Sequence, residues 1–184
     1  MWSVLGVLPA AEEARGWIGQ TLHDTFAQRH PQRATELVES YLAWNVEHFD
    51  ELLQEYPGVA ELLADLSASG ATIGVVTSKR HSAAASTLEA AGLALLLPVL
   101  VAMEDTAGHK PNPEPLLLAI ERLGVGADHC VYIGDAVVDV QAAMAAGMAV
   151  IAVTWGAGER AALQGAGPLA VVDTMEELRA QLLE

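Results

Sequence analysis

The sequence predicts an α/β protein, a doubly wound parallel-sheet core preceded by a small helical module. Three observations carry this. From Pro57 onward, short apolar runs alternate strictly with helical segments. Those runs are continuously apolar, as expected for parallel strands covered on both faces, and not alternating. Before Pro57 the pattern is helical only. Strand, helix and strand in strict order mean βαβ units with right-handed crossovers.

In 12–28, Ile18, Leu22 and Phe26 recur every four residues; in 33–55, Leu37, Tyr41, Trp44 and Leu52 fall on or near one stripe. Both segments read as helices, with the aromatic residues packing them together. Tyr56-Pro57-Gly58 is a turn-forming cluster that divides a helical module, 1–56, from an α/β unit, 57–184. A helix bearing Val59, Leu62, Leu63 and Leu66 runs to Ser69-Gly70 and hands over to strand 71–77. Then follow helix 81–91, strand 98–103, helix 113–123, strand 130–134, helix 137–146, strand 148–154, helix 158–164, strand 170–172 and helix 174–183.

Apolar residues make up 52% of the 184 and charged ones 18%, a globular composition. The net charge of −15 argues against nucleic acid as a partner, since neutralising a phosphate backbone needs clustered Lys and Arg. It leaves small phosphorylated substrates open, because a few placed cations and a metal suffice for them. The only cysteine, Cys130, opens an apolar strand and reads as a small buried hydrophobe. One thiol builds no disulfide framework, which fits a reducing cytoplasm. No apolar run reaches about 18 residues, so no membrane span is expected.

Ligands of such sheets bind beyond the carboxyl ends of the strands. Strand 71–77 ends in Thr77-Ser78-Lys79-Arg80, where a hydroxyl, free amides and two cations can grip an anion, or where Thr77 can simply cap the next helix. Strand 98–103 leads through Glu104-Asp105-Thr106 to Lys110, which three prolines in the next five residues hold on a stiff loop. Strand 130–134 ends in Gly134-Asp135, with Asp139 four residues on. Singly, each acid suits a helix N-terminus. Together, an acid pair, a rigid lysine and a hydroxyl with free amides make an inventory for phosphate and magnesium.

These stretches resemble the haloacid dehalogenase (HAD) superfamily of phosphohydrolases. VVTSKR, 75–80, is similar to its second motif, which implies that Thr77, with Ser78, binds phosphate. HKPNPEPL, 109–116, is similar to the third, with Lys110 bridging phosphate and nucleophile. YIGDAVVD, 132–139, is similar to the fourth, with Asp135 a direct Mg²⁺ ligand and Asp139 a supporting acid. AGMAVIAVTWG, 146–156, is also typical of the group. The resemblance implies a HAD-like, Rossmann-type core, with the helical module as its small cap. RGWIGQTLHDTF, 15–26, and YLAWNVEHFDELLQEYPGV, 41–59, resemble the phosphoglycolate phosphatase branch and, within it, the inorganic pyrophosphatases. Arg15, His23 and Lys79 stand near enough to the expected cleft to contribute charge.

One departure is large. The family's nucleophile is an aspartate in D-x-D-G-T on the first, central strand, and this chain contains no D-x-D. The resemblance therefore implies that the central first strand is absent, a piece of about 20–30 residues with its loop and part of a helix. The expected activity is Mg²⁺-dependent hydrolysis of a small phosphorylated metabolite such as phosphoglycolate, or of pyrophosphate, through an aspartyl-phosphate in a longer protein. The 184 residues alone are then expected to be inactive. A nucleophile-less relative that binds a phosphorylated ligand or partner, and a regulatory domain with relic motifs, are the alternatives. The first strand would lie between 71–77 and 130–134, so a gap filled otherwise, a collapsed sheet, or a segment swapped within a homodimer is expected.

Overall fold

The computed structural model describes residues 10, 13, 17, 20–53 and 56–183. The helical module includes α1 (Leu22–Arg29), α2 (Ala34–Glu47) and α3 (Phe49–Leu52). Thr21 caps α1: its Oγ1 accepts from the Asp24 amide at 3.1 Å, worth about 1 kcal/mol to a helix start. Phe26 of α1 buries against Ala34 and Leu37 of α2, with Leu22 and Tyr41 around them. The single helix expected over 33–55 breaks at His48. There the Trp44 carbonyl accepts from the His48 amide at 3.1 Å and lies 2.9 Å from its ring Nδ1. The His48 ring stacks on Trp44 with centroids 4.6 Å apart.

Gly58, at φ +86°, turns the chain into α4 (Val59–Ala68). The α/β order follows the sequence reading: β1 (Val75–Val76), α5 (His81–Ala90), β2 (Val99–Val101), α6 (Glu114–Leu123), β3 (Val131–Gly134), α7 (Val137–Ala145), β4 (Ala149–Val153), α8 (Arg160–Gly165), β5 (Ala170–Val172) and α9 (Met175–Leu183). All strand pairs are parallel. Among the described residues, no helix is long and apolar enough to cross a membrane.

Along β4, Val150 and Ala152 bury against Leu116 of α6, Val140 of α7 and Leu163 of α8. Ile151 and Val153 bury on the other face against Leu62 of α4 and Leu178 of α9. Both faces are covered, so the run is apolar at every position, each such side chain worth about 1.5–3 kcal/mol. Strand β3 departs from that expectation: Val131 and Ile133 remain 43% and 39% exposed. Cys130, just before it, is half-buried, with Sγ donating to the Gly126 carbonyl at 3.4 Å.

The reason is an interruption. Strands β1 and β2 form one sheet and β3, β4 and β5 another. Among the described residues, no strand pairs with the free side of β1 or of β3, and the break falls where the sequence reading places the missing strand. A strand from residues 1–10 lies outside the described residues, apart from Ala10. The strand expected over 71–77 shrinks accordingly to two residues. Among the described residues it pairs with β2 alone, through Val75 N–H to Pro98 O and Thr77 N–H to Val101 O, both 2.9 Å, with a register shift between Val75 and Val76.

Candidate active site

Thr77 leaves β1 with its amide anchored on β2 and its Oγ1 accepting from the Lys79 amide at 3.1 Å. The helix-cap alternative for Thr77 fails: the N-cap of α5 is Arg80, and the first amide of the helix, His81 N–H, donates to Glu104 Oε1 at 3.0 Å. The Thr77 hydroxyl keeps its own proton to donate. The Lys79 carbonyl accepts from Met103 N–H at 2.9 Å, which ties this turn to the end of β2. Lys79 Nζ folds back along α5 to donate to Thr87 Oγ1 at 3.3 Å, and desolvation there lowers its pKa.

The loop before α6 is pinned by Glu114, whose carboxylate accepts from the amides of Ala107 at 3.3 Å and Gly108 at 2.7 Å. It delivers Lys110 into the core. The Lys110 ammonium sits 2.6 Å from Asp139 Oδ1, with the two side chains 8% and 5% exposed. It also donates to Tyr132 Oη at 3.2 Å and lies 5.7 Å from the centroid of that ring. Burial works against the ammonium's charge, but Tyr132 and Asp139 outweigh it and raise the Lys110 pKa. Burial pushes the Tyr132 hydroxyl up to about 12.

The two acids after β3 take different roles. Asp139, the third residue of α7, folds its Oδ2 back onto the amides of Ala136 at 3.1 Å and Asp135 at 3.3 Å. It is therefore the capping carboxylate, and Asp135, the sequence's N-cap candidate, is not; Ala136 occupies that position. Gly134 permits the fold-back, since a Cβ there would stand 2.4 Å from Asp139 Cβ. Asp135 instead turns toward the loop after β4. Its Oδ2 accepts from Ala157 N–H at 2.8 Å and its carbonyl from Gly158 N–H at 2.7 Å. Among the described residues, nothing bonds to Asp135 Oδ1.

This arrangement bears on a metal. Both oxygens of Asp139 are engaged, so the acid pair offers one open oxygen, on Asp135. Among the described residues, no three or more His, Cys, Asp or Glu side chains gather into a metal-holding group. The described residues therefore do not supply the three or four protein ligands of a zinc site. A single carboxylate oxygen fits a hard cation such as Mg²⁺, which keeps several waters and takes its other ligands from substrate phosphate.

The structure thus joins Lys110 directly to Asp139 and sets Asp135 at the same junction. Thr77 reaches them through its neighbour Val76, whose carbonyl lies 3.4 Å from Tyr132 Oη. Ser78 follows Thr77, half-buried. Lys79 turns away to α5, His23 is exposed on α1, and Arg15 lies outside the described residues. Open grooves of about 570 Å³ beside His81 and Leu97 and about 390 Å³ beside Asn112 and Leu117 include none of Thr77, Lys110, Asp135 and Asp139.

Sequence reasoning missed Tyr132, Glu114, Asp105 and the Ala157 amide. Two had a signal: a tyrosine inside a buried strand needs a partner for its hydroxyl, and glycines on both sides of Ala157 mark a close backbone approach. A Cβ at Gly156 would stand 2.1 Å from Asp135 Oδ2. Asp105 gathers His81 Nε2 and Ala102 N–H, both at 2.7 Å, and Arg122 at 3.1 Å. The Arg122 guanidinium, with the Ala102 amide, holds its carboxyl well below the usual range.

The sequence model of the haloacid dehalogenase-like hydrolases matches residues 5–153. The chain is 34% identical over 167 residues to pyrophosphatase PpaX of Bacillus mycoides, spanning 91% of this chain and 78% of that protein. The Bacillus cereus PpaX is likewise 34% identical, over 91% and 77%. A haloacid dehalogenase-like family hydrolase of Streptococcus pneumoniae superposes with a TM-score of 0.82 at 24% identity, over 98% of this chain and 85% of that one. A hydrolase of Pseudomonas syringae gives 0.86 at 23%, over 98% and 86%, and shares the fold. By both the extent of the family match and the identity to these relatives, the chain belongs to the haloacid dehalogenase-like hydrolase family.

Proposed function

We propose that the chain carries the phosphate- and metal-binding half of a Mg²⁺-dependent phosphohydrolase site for a small phosphorylated metabolite such as phosphoglycolate, or for pyrophosphate. The observation that carries this is the buried Lys110–Asp139 pair, 2.6 Å long, at the strand junction that also presents the open oxygen of Asp135. Hydrolase family membership and the identity to two pyrophosphatases support it. In this reading the Thr77 hydroxyl and the Ser78 turn orient the phosphoryl oxygens, and the Lys110 ammonium stabilises the charge that develops on them. Asp139 positions Lys110. Asp135 would hold the metal, which when bound screens the phosphate and orients it.

The carboxylate that would attack phosphorus is not among the 184 residues, which contain no D-x-D. The chain by itself is therefore expected to bind and not to turn over. The test compares four proteins with pyrophosphate, phosphoglycolate and an aryl phosphate, with and without Mg²⁺: the chain, its Lys110→Met variant, the chain joined to the D-x-D-G-T-bearing N-terminal segment of a PpaX relative, and that joined protein carrying Lys110→Met. Mg²⁺-dependent turnover by the joined protein alone, lost in its Lys110→Met form, is the expected result. Turnover by the 184 residues would refute the inactivity. Binding without turnover in both long and short forms would favour the second reading, a ligand-binding relative, for which the absent D-x-D also speaks.

A further inference from the structure

Strand β3 alternates, so Tyr132 and Gly134 share one face while Val131 and Ile133 share the other. On its face the Tyr132 ring packs against the cluster around Leu116 and Val140. Its hydroxyl ends among three polar groups: Lys110 Nζ at 3.2 Å, the Val76 carbonyl at 3.4 Å and Asp139 Oδ1 at 3.5 Å. A phenol has one proton to donate and can accept as well. Lys110 is a donor only, so the hydroxyl accepts from it. The phenolic proton then has two acceptors within reach, on β1 and on α7.

Asp139 Oδ1 depends on Lys110. Its other oxygen is held by two backbone amides, but Oδ1 takes the ammonium at 2.6 Å and, among the described residues, has no other donor except Tyr132. If Lys110 moves toward an anionic ligand, a carboxylate only 5% exposed is left with an unmatched oxygen. That cost opposes binding, because an unsatisfied buried charged group costs more than a neutral one. Rotation of one O–H bond offsets it: the phenolic proton turns from Val76 O to Asp139 Oδ1, with no proton transferred.

We infer that Tyr132 is a positioning residue whose hydroxyl holds Lys110 against Asp139 and takes over as donor to Asp139 when Lys110 turns to a phosphoryl oxygen. The inference rests on the proposed reading in assigning Lys110 to phosphate. The contact to Val76, one residue before Thr77, also links the release of Lys110 to the strand that presents the phosphate-binding hydroxyl.

The test is calorimetric titration of the 184-residue chain with inorganic pyrophosphate in MgCl₂, for wild type, Tyr132→Phe, Asp139→Asn and the double variant. Tyr132→Phe is expected to bind about three- to tenfold more weakly, the worth of one net hydrogen bond. In the Asp139→Asn background the same change should shrink below about twofold, since no carboxylate remains to be satisfied. A tyrosine that serves packing alone would weaken binding equally in both backgrounds, and that result, or unchanged affinity in Tyr132→Phe, overturns the inference. If wild type binds no pyrophosphate, the functional reading fails and Tyr132 is judged separately. The same applies if Asp139→Asn does not fold. The readout is then hydrogen exchange of the Lys110 ammonium protons by NMR: several-fold faster exchange in folded Tyr132→Phe supports the role, and unchanged exchange overturns it.

Discussion

Asp139→Asn should be far more damaging than Lys110→Met, and the difference can be worked from the contacts. The substitution removes the counter-charge 2.6 Å from an ammonium that is 8% exposed. Leaving one member of a buried pair unpaired costs about 3–5 kcal/mol. The asparagine has one carbonyl oxygen for a site where two carboxylate oxygens serve Lys110 and the amides of Asp135 and Ala136. Either the lysine or the helix start loses its acceptor, and the cap alone is worth about 1 kcal/mol. Against a total stability of about 5–15 kcal/mol, this removes a large fraction. Lys110→Met leaves Asp139 with both amide donors and Tyr132 Oη within 3.5 Å, so about 1–3 kcal/mol is expected. In the double variant no unpaired charge remains, and the two losses should fall short of adding by about 2 kcal/mol. Urea unfolding followed by far-UV circular dichroism measures all four proteins. Additivity within about 0.5 kcal/mol, or Lys110→Met as the costlier change, would refute the pairing argument.

Gly156→Ala should cost about 1–3 kcal/mol, because its Cβ would meet Asp135 Oδ2 at 2.1 Å and force the loop off the carboxylate. Gly165→Ala, with nothing within 4 Å and no positive φ, is the control and should leave the thermal midpoint level or slightly raised. Equal midpoints for the two variants would remove the Asp135 loop contact from the account. Asp105 is predicted to shape the acid limb of stability. Its folded pKa is depressed, first by Arg122 and then by the Ala102 amide, so its contribution is present above the unfolded value of about 3.9 and is lost as pH falls below it. The urea midpoint of Asp105→Asn should therefore fall less steeply than wild type from pH 5 to pH 2; parallel curves would exclude the ion-pair explanation.

The alternation of strands and helices after Pro57 was readable because each element buries its own apolar stripe, and that signal is local. The length of β1 was not, because a ladder extends only as far as its partner. With β2 on one side and no described strand on the other, only Val75 and Val76 of the apolar run 71–77 pair, and with a register shift between them. Residue types named Lys110, Asp135 and Asp139, but spacing could not say which acid would cap. That follows from position: Asp139 stands third in α7, from which a side chain folds back onto the first amides, whereas Asp135 precedes the N-cap and turns to the Ala157 amide. Tyr132 escaped notice because two of its three partners, the Val76 carbonyl on β1 and Lys110 in the loop before α6, are remote in sequence.

The division between the two acids has an electrostatic consequence for the proposed reaction. Asp139 cancels Lys110 within the core, so of these three groups only Asp135 leaves a charge facing a ligand, and that charge is negative. The chain around it carries a net −15. A phosphate about 4 Å from an uncompensated carboxylate is repelled by about 1–4 kcal/mol, depending on local polarity. Lys110 does not reverse this until it leaves Asp139, and it leaves only for a stronger acceptor. Asp135 would hold a divalent cation there, and the charge of the junction would then be +1 instead of −1. Phosphate would then meet attraction on arrival, and its negative charge brought close to the junction would draw Lys110 across from Asp139. On this reasoning the metal precedes the phosphate, and pyrophosphate affinity should rise with Mg²⁺ by more than the chelation of free pyrophosphate accounts for. The excess should disappear in Asp135→Asn while the Lys110–Asp139 pair, and with it the fold, stays in place.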